Sequence, residues 1–259
     1  MVSMTNDLNI QKIYIIPHDD GLTALKKALD KRADQSISSE SILELADCVL
    51  KNNIFEHNSK TFKQKQGTAI GTKMAPPYAI LFMSDLEDEF LKNSPLKPFV
   101  WWRYIDDIFM IWQHGEAKLQ EFLKNLNSCH PTIKFTADHS PEKINFLDVQ
   151  VIRHGDHLVT DLFTKPTDTH QYLHATSCHV FHSKRSIPFS QALRLNRICS
   201  EGKFFDKRCN QLEEWLSKRG YSDKMVRNEI LRARKFNRND LLDKGKTERS
   251  SPDLVLSIT

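Results

Sequence analysis

The chain has 259 residues, which is enough to bury a sizeable core in one large domain or two smaller ones. Hydrophobic residues make up 39% of the sequence and charged residues 27%, proportions that are typical of a globular protein. The net charge of +4 is too small to indicate nucleic-acid binding by itself, and no apolar run reaches the 18 residues expected of a transmembrane helix.

The first part of the chain predicts a strand, a turn and two helices. Residues 10–16 are rich in isoleucine and predict a buried strand, and residues 19–21 predict a turn. Three leucines between residues 22 and 29 then have helical spacing. A second helix is expected to begin within residues 36–41, with Ser41 and Glu44 as a candidate capping box. The residues expected on its inner stripe are Ile42, Leu45, Ala46 and Val49.

The middle of the chain predicts two hairpins with a loop and a helix between them. Residues 55–65 have the pattern of a short hairpin around Asn58 and Ser59. A glycine-containing loop leads into residues 76–91, which predict a helix with proline in its first turn. In residues 99–112, two apolar runs flank Asp106 and Asp107, which predicts a tight hairpin with acidic residues at its turn.

The rest of the chain predicts a helix, three strands and a basic helical region. Leu119, Phe122, Leu123 and Leu126 mark the amphipathic helix. Residues 132–136 and 144–153 are strand candidates, and a turn centred on Gly155 is expected to lead into a strand at 158–163. The pattern is then helical and basic to about residue 239, and residues 240–259 are predicted to be disordered. This mixed order predicts an α+β fold.

The adjacent carboxylates of Asp106 and Asp107 are the strongest local signal of chemistry. Such a pair resists ionisation unless a divalent cation supplies compensating charge. Mg²⁺ takes oxygen ligands and keeps positions open for phosphates, and two such ions can clamp the reacting oxygens of a phosphoryl transfer. The alternative is an exposed acidic turn, which the apolar runs on both sides make less favoured.

Several segments resemble motifs of the reverse transcriptases of Penelope-like retroelements. Residues 104–107 (Tyr-Ile-Asp-Asp) resemble their motif C, and residues 66–77, which begin Gln-Gly-Thr-Ala-Ile-Gly, resemble motif B. Residues 144–148 (Ile-Asn-Phe-Leu-Asp) resemble the primer-grip strand, and residues 165–173 and 194–200 also look like this family. Because the motifs occur in the expected order, the joint signal is more specific than any single motif.

The resemblance implies a fold and an activity. It implies a right-hand polymerase palm, an antiparallel sheet with packed helices, followed by a helical thumb. Residues 1–163 would form the partial fingers and palm, 164–239 the basic thumb, and 240–259 a disordered tail. The implied activity is that of an RNA-directed DNA polymerase, which adds deoxynucleotides to a DNA primer on an RNA template with Mg²⁺ or Mn²⁺.

The resemblance also implies roles for individual residues. Asp106 and Asp107 would be the catalytic metal ligands, and Lys134 is a weaker candidate for protonating the leaving pyrophosphate. Residues expected to contact nucleotide or template are Gln66, Gly67 and Gly71, and those expected in the primer grip are Phe146, Leu147 and Asp148. Residues expected to contact the nucleic-acid backbone from the thumb are Lys184, Arg185, Arg194 and Arg197.

The chain departs from the family in its first catalytic motif. The family carries an aspartate nine residues before the proline that corresponds to Pro17, and here Leu8 stands at that position, one residue after Asp7. A one-residue shift along a strand turns a side chain to the opposite face, so Asp7 is a poor substitute without a bulge. The family's upstream fingers motifs are absent too, which predicts a truncated copy with impaired activity. The alternatives are a non-catalytic nucleic-acid-binding remnant of a retroelement and a degraded reading frame.

The cysteines and histidines give no sign of a disulfide framework or a zinc site. The five cysteines have no paired spacing, which predicts free thiols in a reducing compartment. One histidine-rich segment matches no standard zinc pattern, and its residues are His170, His174, Cys178, His179 and His182. We expect an intracellular protein with no membrane partner, and a nuclear one if the element is active.

Overall fold

Short strands and helices of moderate length alternate along the chain in the computed structural model, which describes residues 1–6, 16–69 and 71–243. The strands are β1 Val2–Asn6, β2 Ile54–His57, β3 Lys60–Lys63, β4 Val100–Tyr104, β5 Asp107–Ile111, β6 Phe135–His139, β7 Lys143–Phe146, β8 Val149–His154 and β9 His157–Leu162. The helices are α1 His18–Leu29, α2 Ser39–Lys51, α3 Ala75–Asn93, α4 Glu116–Leu126, α5 Phe181–Ile198, α6 Gly202–Ser217, α7 Asp223–Arg234 and α8 Arg238–Leu242. The α+β class predicted from the sequence is confirmed.

The described residues form two compact units. Residues 2–138 make one unit, and residues 139–243 together with Met1 make the other. The sheet of β7, β8 and β9 therefore belongs with the C-terminal helices, whereas the sequence placed the boundary at residue 163. The first unit has its own core of buried side chains, and so does the second, because each brings an apolar sheet or helix face together with its own helices.

The larger sheet of the first unit has the strand order β4-β5-β1-β6. Strand β1, which the sequence did not predict, lies next to β5 and pairs with it antiparallel, with Val2 opposite Met110 and Thr5 opposite Asp107. Ile108 and Met110 of β5 are fully buried. The strand predicted at residues 10–16 lies outside the described residues except for Ile16, which is buried.

Helix α1 packs against α3 through a close contact at Gly21. A methyl group at Gly21 would lie 1.9 Å from the Tyr78 hydroxyl oxygen, so only glycine fits there. That hydroxyl donates a hydrogen bond to the carbonyl of His18, 3.1 Å away. The predicted turn at residues 19–21 is therefore wrong, because these residues form the first turn of α1, where acidic side chains favour the helix N-terminus.

Helix α2 begins within the predicted residues 36–41, but its cap is not the predicted one. Ser38, not Ser41, is its N-cap, and the Ser38 hydroxyl accepts a hydrogen bond from the Ser41 backbone N–H at 3.0 Å. Its buried residues are Ile42, Ala46 and Leu50. The predicted inner stripe is thus wrong in part, since Leu45 and Val49 are exposed.

Several predicted hairpins and helices are confirmed. The β2–β3 hairpin turns at Asn58 and Ser59, both with positive φ, and α3 and α4 lie where the patterns predicted them. The strand expected at residues 132–136 is β6, which begins three residues later, at Phe135. The turn around Gly155, with φ +62°, joins β8 to β9 as expected.

The single strand predicted at residues 144–153 is wrong. Residues Leu147 and Asp148 form a two-residue turn between β7 and β8, with Phe146 opposite Val149. The apolar residues of this segment predict one continuous strand. The turn instead places Leu147 at positive φ, and the sequence has no residue there that is typical of such a turn. Strands β7, β8 and β9 thus form a three-stranded antiparallel meander.

The C-terminal helices start later than expected. Residues 163–180 contain no helix, so the helical region predicted from residue 166 begins at Phe181. Helices α5, α6 and α7 enclose a core that includes Ala192, Leu212, Leu216 and Ala233. Residues 240–242 of the predicted disordered tail are helical in α8, and residues 244–259 lie outside the described residues.

Two further observations concern the cysteines and the length of the helices. All five cysteines are free thiols, and Cys199 and Cys209 are buried. Within the described part of the chain, no helix combines the length and the apolar character needed to cross a lipid bilayer.

Candidate functional site

The acidic pair lies at the tip of the β4–β5 hairpin, as predicted. Tyr104 pairs with Asp107, so that Ile105 and Asp106 form a two-residue turn. Ile105 has φ +55°, a conformation that is strained for a β-branched residue, and its side chain is 46% exposed. Among the described residues the Asp106 carboxylate has no hydrogen-bond or ion-pair partner, and Asp106 and Asp107 are partly exposed. Carboxylate oxygens in this setting are the donor type that Mg²⁺ and Mn²⁺ take.

An ion pair between β4 and α3 holds the hairpin in place. The Arg103 Nε donates to Glu87 Oε2 at 2.8 Å, and both side chains are nearly buried. Arg103 Nη1 also donates to the carbonyl of Ile105 at 3.0 Å, which braces the strained turn. Burial raises the pKa of Glu87, although the hydrogen bond and the charge of Arg103 oppose that rise.

Strand β1 ends close to this turn. Because Thr5 lies opposite Asp107, the chain leaves β1 at Asn6 beside the acidic end of β5. Leu8, which stands where the resembled family carries an aspartate, and the neighbouring Asp7 lie outside the described residues.

The glycine loop contains two residues that need glycine's freedom. Gly67 has φ +73° and Gly71 has φ +96°, and both values lie in the region that L-residues rarely adopt. His18 Nε2 lies 2.9 Å from the Gly67 carbonyl oxygen and ties the loop to α1. Gln66 is exposed, whereas the neighbouring Thr68 is buried with its hydroxyl unpaired. The loop thus lies on the N-terminal side of α3.

The predicted primer-grip residues form the tip of the β7–β8 hairpin. Leu147 has φ +54° and is 37% exposed, in a turn of the same kind as that at Ile105. The Asp148 carboxylate binds Arg194 of α5 through Nη2 at 2.6 Å and Nε at 3.1 Å. Two predicted site residues are therefore partners of each other, while Phe146 is partly buried at the end of β7.

The other predicted backbone-contacting residues differ in their surroundings. The Lys184 amino group donates to the carbonyls of Ala175 and Ser177 at 2.9 and 3.1 Å. Arg185 is paired with the buried Glu229 at 2.5 Å, while Arg197 is exposed and has no side-chain partner in the described part of the chain. Only Arg197 of these three is thus unengaged.

The weaker sequence candidates are held by local contacts. The Lys134 amino group donates to the carbonyls of Asn127 and His130, at 2.5 and 3.1 Å, in the loop after α4. His170 stacks on Trp215 with ring centroids 3.5 Å apart, and the His174 ring lies 2.8 Å from the Thr176 hydroxyl.

A short turn joins helices α6 and α7. The turn occupies residues 218–222, with Gly220 at φ +79° and the Tyr221 N–H donating to the Leu216 carbonyl at 3.1 Å. Tyr221 is buried and anchors the turn. A short glycine-containing turn between two helices is typical of the helix-turn-helix motif, whose second helix contacts DNA.

The outward side of α7 carries a stripe of exposed residues that the sequence analysis did not single out. The inward residues are Val226, Glu229, Ile230 and Ala233. The exposed stripe, which we call the basic face, consists of Lys224, Arg227, Asn228, Leu231 and Arg234. Its spacing of three and four residues was visible in the sequence, but which side of the helix is buried was not.

The cations of the basic face are loosely held. Arg227 Nε is 3.0 Å from Glu213 Oε2, and Arg234 pairs with Asp206, both acids lying on α6. Lys224 has no side-chain partner within the described residues. Since both arginines are more than half exposed, these pairs contribute little to stability and are exchangeable.

Comparison with known proteins gives one finding for this region. Residues 171–231 match the model of the animal helix-turn-helix domain, a segment that includes α5, α6 and most of α7. The chain has no significant match among the curated proteins. The match covers under a quarter of the chain and indicates a nucleic-acid-binding type of domain, and it does not include residues 66–77 or 104–107.

Proposed function

We propose that the C-terminal helices bind duplex nucleic acid through phosphate contacts made by the basic face of α7. The single observation that carries this proposal is that the second helix of a helix-turn-helix-like pair presents three exposed cations along one side, at Lys224, Arg227 and Arg234. In helix-turn-helix proteins that helix lies in the major groove of the duplex, and Lys and Arg side chains beside the groove contact the phosphates.

The charge of this region supports the proposal. Residues 171–235 contain fourteen Lys and Arg residues and six Asp and Glu residues, whereas the whole chain has a net charge of only +4. Positive charge is therefore concentrated in these helices, and the rest of the chain is net negative. Such a distribution attracts a polyanion and orients it toward one region of the protein.

The ion pairs of the basic face do not oppose binding. The exposed pair between Arg227 and Glu213 is worth about 0.2–1 kcal/mol. Exchanging the carboxylate for a phosphate costs little, and the released counterions of the nucleic acid drive association. The binding is expected to be independent of base sequence, with a dissociation constant of about 10⁻⁴ to 10⁻⁶ M.

The test is fluorescence anisotropy with a labelled DNA duplex and a labelled RNA–DNA hybrid, titrated at several salt concentrations. The triple variant Lys224→Ala/Arg227→Ala/Arg234→Ala is expected to bind more weakly. It is also expected to lower the slope of log K against log salt by about 3, roughly one for each phosphate that the variant no longer neutralises.

A matched control removes the same charge from the other unit. Lys92, Lys118 and Lys124 are exposed lysines of α3 and α4, and their triple alanine variant is expected to bind like the wild type. Equal weakening in the two triple variants would contradict the proposal. So would the absence of binding at about 100 μM protein in low salt, where nonspecific binders of this kind are still detected.

We also propose that residues 2–138 derive from a reverse transcriptase palm in which Asp106 and Asp107 bind Mg²⁺ or Mn²⁺. The observation that favours this second function is the pairing of β1 with β5, with Thr5 opposite Asp107. The chain therefore leaves β1 at Asn6 beside the acidic turn, and Asp7 is the next residue in the sequence. A metal ion bound there would stabilise charge on transferring phosphates of a deoxynucleoside triphosphate.

The expected activity is weak or absent, since Leu8 stands where the family carries a carboxylate. Mn²⁺ binding, measured by electron paramagnetic resonance, is expected to be abolished in Asp106→Ala and retained in Asp138→Ala, which alters a different carboxylate of the same sheet. Unchanged Mn²⁺ binding in Asp106→Ala would overturn the metal role.

Primer extension on poly(rA)/oligo(dT) tests the activity itself. The wild-type chain is expected to give no extension with either metal, because two catalytic carboxylates hold two metals less well than three. Robust synthesis that Asp106→Ala abolishes would show that Asp7 or another group completes the site.

A further inference from the structure

A group of two histidines and a glutamate lies at the closed end of the β8–β9 hairpin. His154 and His157 are the last register pair before the Gly155–Asp156 turn, and both are exposed. Their rings meet edge to face with centroids 5.2 Å apart. Residues directly opposite on antiparallel strands have side chains close enough to share one ligand.

The third member, Glu201, is brought to the hairpin by the start of α6. Glu201 is the residue before that helix. The preceding residue, Ser200, is bonded to Thr160 of β9, with its N–H donating to the Thr160 carbonyl at 3.0 Å and its hydroxyl accepting from the Thr160 N–H at 2.8 Å. The position of Glu201 beside the hairpin is therefore set by the two hydrogen bonds between the neighbouring Ser200 and Thr160.

We propose that His154, His157 and Glu201 bind a divalent transition-metal ion, with Zn²⁺ as the first choice. One ligand atom from each residue lies within 4.8 Å of the other two. Tetrahedral zinc with bonds of about 2.1 Å needs ligand atoms about 3.4 Å apart. Because both histidines are exposed and free to rotate, their side chains can close the remaining distance without a change of the backbone.

The donor set favours this class of ion. Two imidazole nitrogens and one carboxylate oxygen suit Zn²⁺, Cu²⁺ or Ni²⁺ better than Mg²⁺, which prefers oxygen alone. Three protein ligands leave a fourth position for water or for a group of a partner. The bound ion would fasten the β8–β9 hairpin to the beginning of α6, at some distance in sequence from the basic face of α7.

The ammonium group of Lys203 would compete with a metal ion for the Glu201 carboxylate. Lys203 Nζ lies 2.7 Å from Glu201 Oε2, and the lysine side chain is 64% exposed. A metal ion must displace this ammonium group. Removing it is expected to strengthen metal binding about threefold, which is the scale of an exposed ion pair.

The test is isothermal titration of the whole chain with Zn²⁺. The wild type is expected to bind one ion that His157→Ala binds at least about tenfold more weakly, since removing even a hydrogen-bond partner of a zinc ligand costs that much. Lys203→Ala is expected to bind about threefold more tightly. The matched control is His179→Ala, which alters an exposed histidine that has no hydrogen bond, ion pair or ring contact among the described residues.

Substituted Co²⁺ gives an independent readout. A site of two histidines and a carboxylate is expected to show visible d–d absorption without a thiolate-to-metal charge-transfer band. A charge-transfer band, or a weakening of binding in His179→Ala that equals the weakening in His157→Ala, would assign the metal to the cysteine-containing segment and overturn the proposal. Identical titrations of the wild type and His157→Ala would overturn it as well.

Discussion

At the scale of single residues, Gly21 is a position where the fold leaves no room for a larger side chain. A methyl group there would lie 1.9 Å from the hydroxyl oxygen and 2.1 Å from the Cζ of Tyr78, a side chain that is 1% exposed. Gly21→Ala is therefore expected to lower the free energy of unfolding by about 3 kcal/mol, because the buried ring must move. Urea unfolding followed by circular dichroism measures the decrease.

A second glycine provides the control for this prediction. Gly202 is at the start of α6. Apart from its chain neighbours and its own helix backbone, no atom of the described residues would lie within 4 Å of a methyl group added there. Gly202→Ala is expected to change stability by less than about 0.5 kcal/mol. Equal effects at Gly21 and Gly202 would show that the contact with Tyr78 is not what makes glycine necessary.

Asp161 gives the chain a carboxylate whose charge stabilises the folded state. Burial is the largest single influence on its pKa and would raise it. Two hydrogen bonds from Arg208, at 2.6 and 2.9 Å, act together with the charge of Arg208 and with hydrogen bonds from the Leu162 N–H and the Cys199 thiol, and they hold the pKa of Asp161 below its usual 3.8. A lowered folded pKa means that this stabilisation is present above about pH 4 and is lost as the pH falls through the folded pKa. Asp161→Asn is expected to cost about 3–5 kcal/mol at pH 7 and progressively less below pH 4.

The contribution of Glu87 to stability is expected to change with pH in the opposite direction. Desolvation raises its pKa above 4.5, so the folded state favours the protonated form and loses stability as the pH rises through the folded pKa. As the pH rises from about 4.5, the wild type is therefore expected to lose stability relative to Glu87→Gln. Over the rise from low to neutral pH, it is expected to gain stability relative to Asp161→Asn. Parallel pH curves for Asp161→Asn and the wild type would contradict the assignment.

At the scale of elements, the strained turn at Ile105 is the clearest case for a substitution that stabilises. A β-branched residue at φ +55° lowers the free energy of unfolding by about 1–2 kcal/mol relative to glycine, because glycine adopts this conformation without a steric clash. Ile105→Gly is expected to raise the free energy of unfolding by about 1 kcal/mol, and Ile105→Val, which keeps the branched side chain, is expected to give no gain. Denaturant midpoints of the three proteins test this, and a destabilised glycine variant would show that the side chain has a packing role.

The elements also show what a sequence can predict. The β4–β5 hairpin was predictable because two apolar runs flank a pair of polar residues, and α4 because its buried residues recur with helical spacing. The β7–β8 turn was not, since Leu147 adopts a left-handed conformation that its type disfavours, and surrounding strands impose it. Strand β1 is similar, because its pairing with β5 is a long-range contact that no local pattern reports.

Some residues of the candidate site were also predictable from the sequence, and others were not. Asp106 and Asp107 were placed correctly at a hairpin tip because chemistry and local pattern agree there. The basic face of α7 was missed, since a cluster of cations becomes a surface only once packing decides which side of the helix faces out. The pairing of Asp148 with Arg194 is a tertiary contact between residues far apart in sequence, and it joins two groups that had been assigned separate roles.

At the scale of the whole molecule, the separation into two cores has a consequence for function. The core of residues 139–243 contains Leu162 of β9 and buried residues of α5, α6 and α7, all from within that range. A fragment of residues 139–243 is therefore expected to fold cooperatively on its own and to unfold in a single denaturant transition, because it keeps its buried apolar surface.

The same fragment is expected to retain binding to duplex nucleic acid with the salt slope of the whole chain, since it contains the basic face and the surplus of Lys and Arg residues. Residues 1–138 expressed alone serve as the counterpart and are expected not to bind at comparable salt. Anisotropy titrations of the two fragments measure this directly. Binding confined to residues 1–138, or a well-folded fragment 139–243 that does not bind, would mean that the helices carry the fold and not the function.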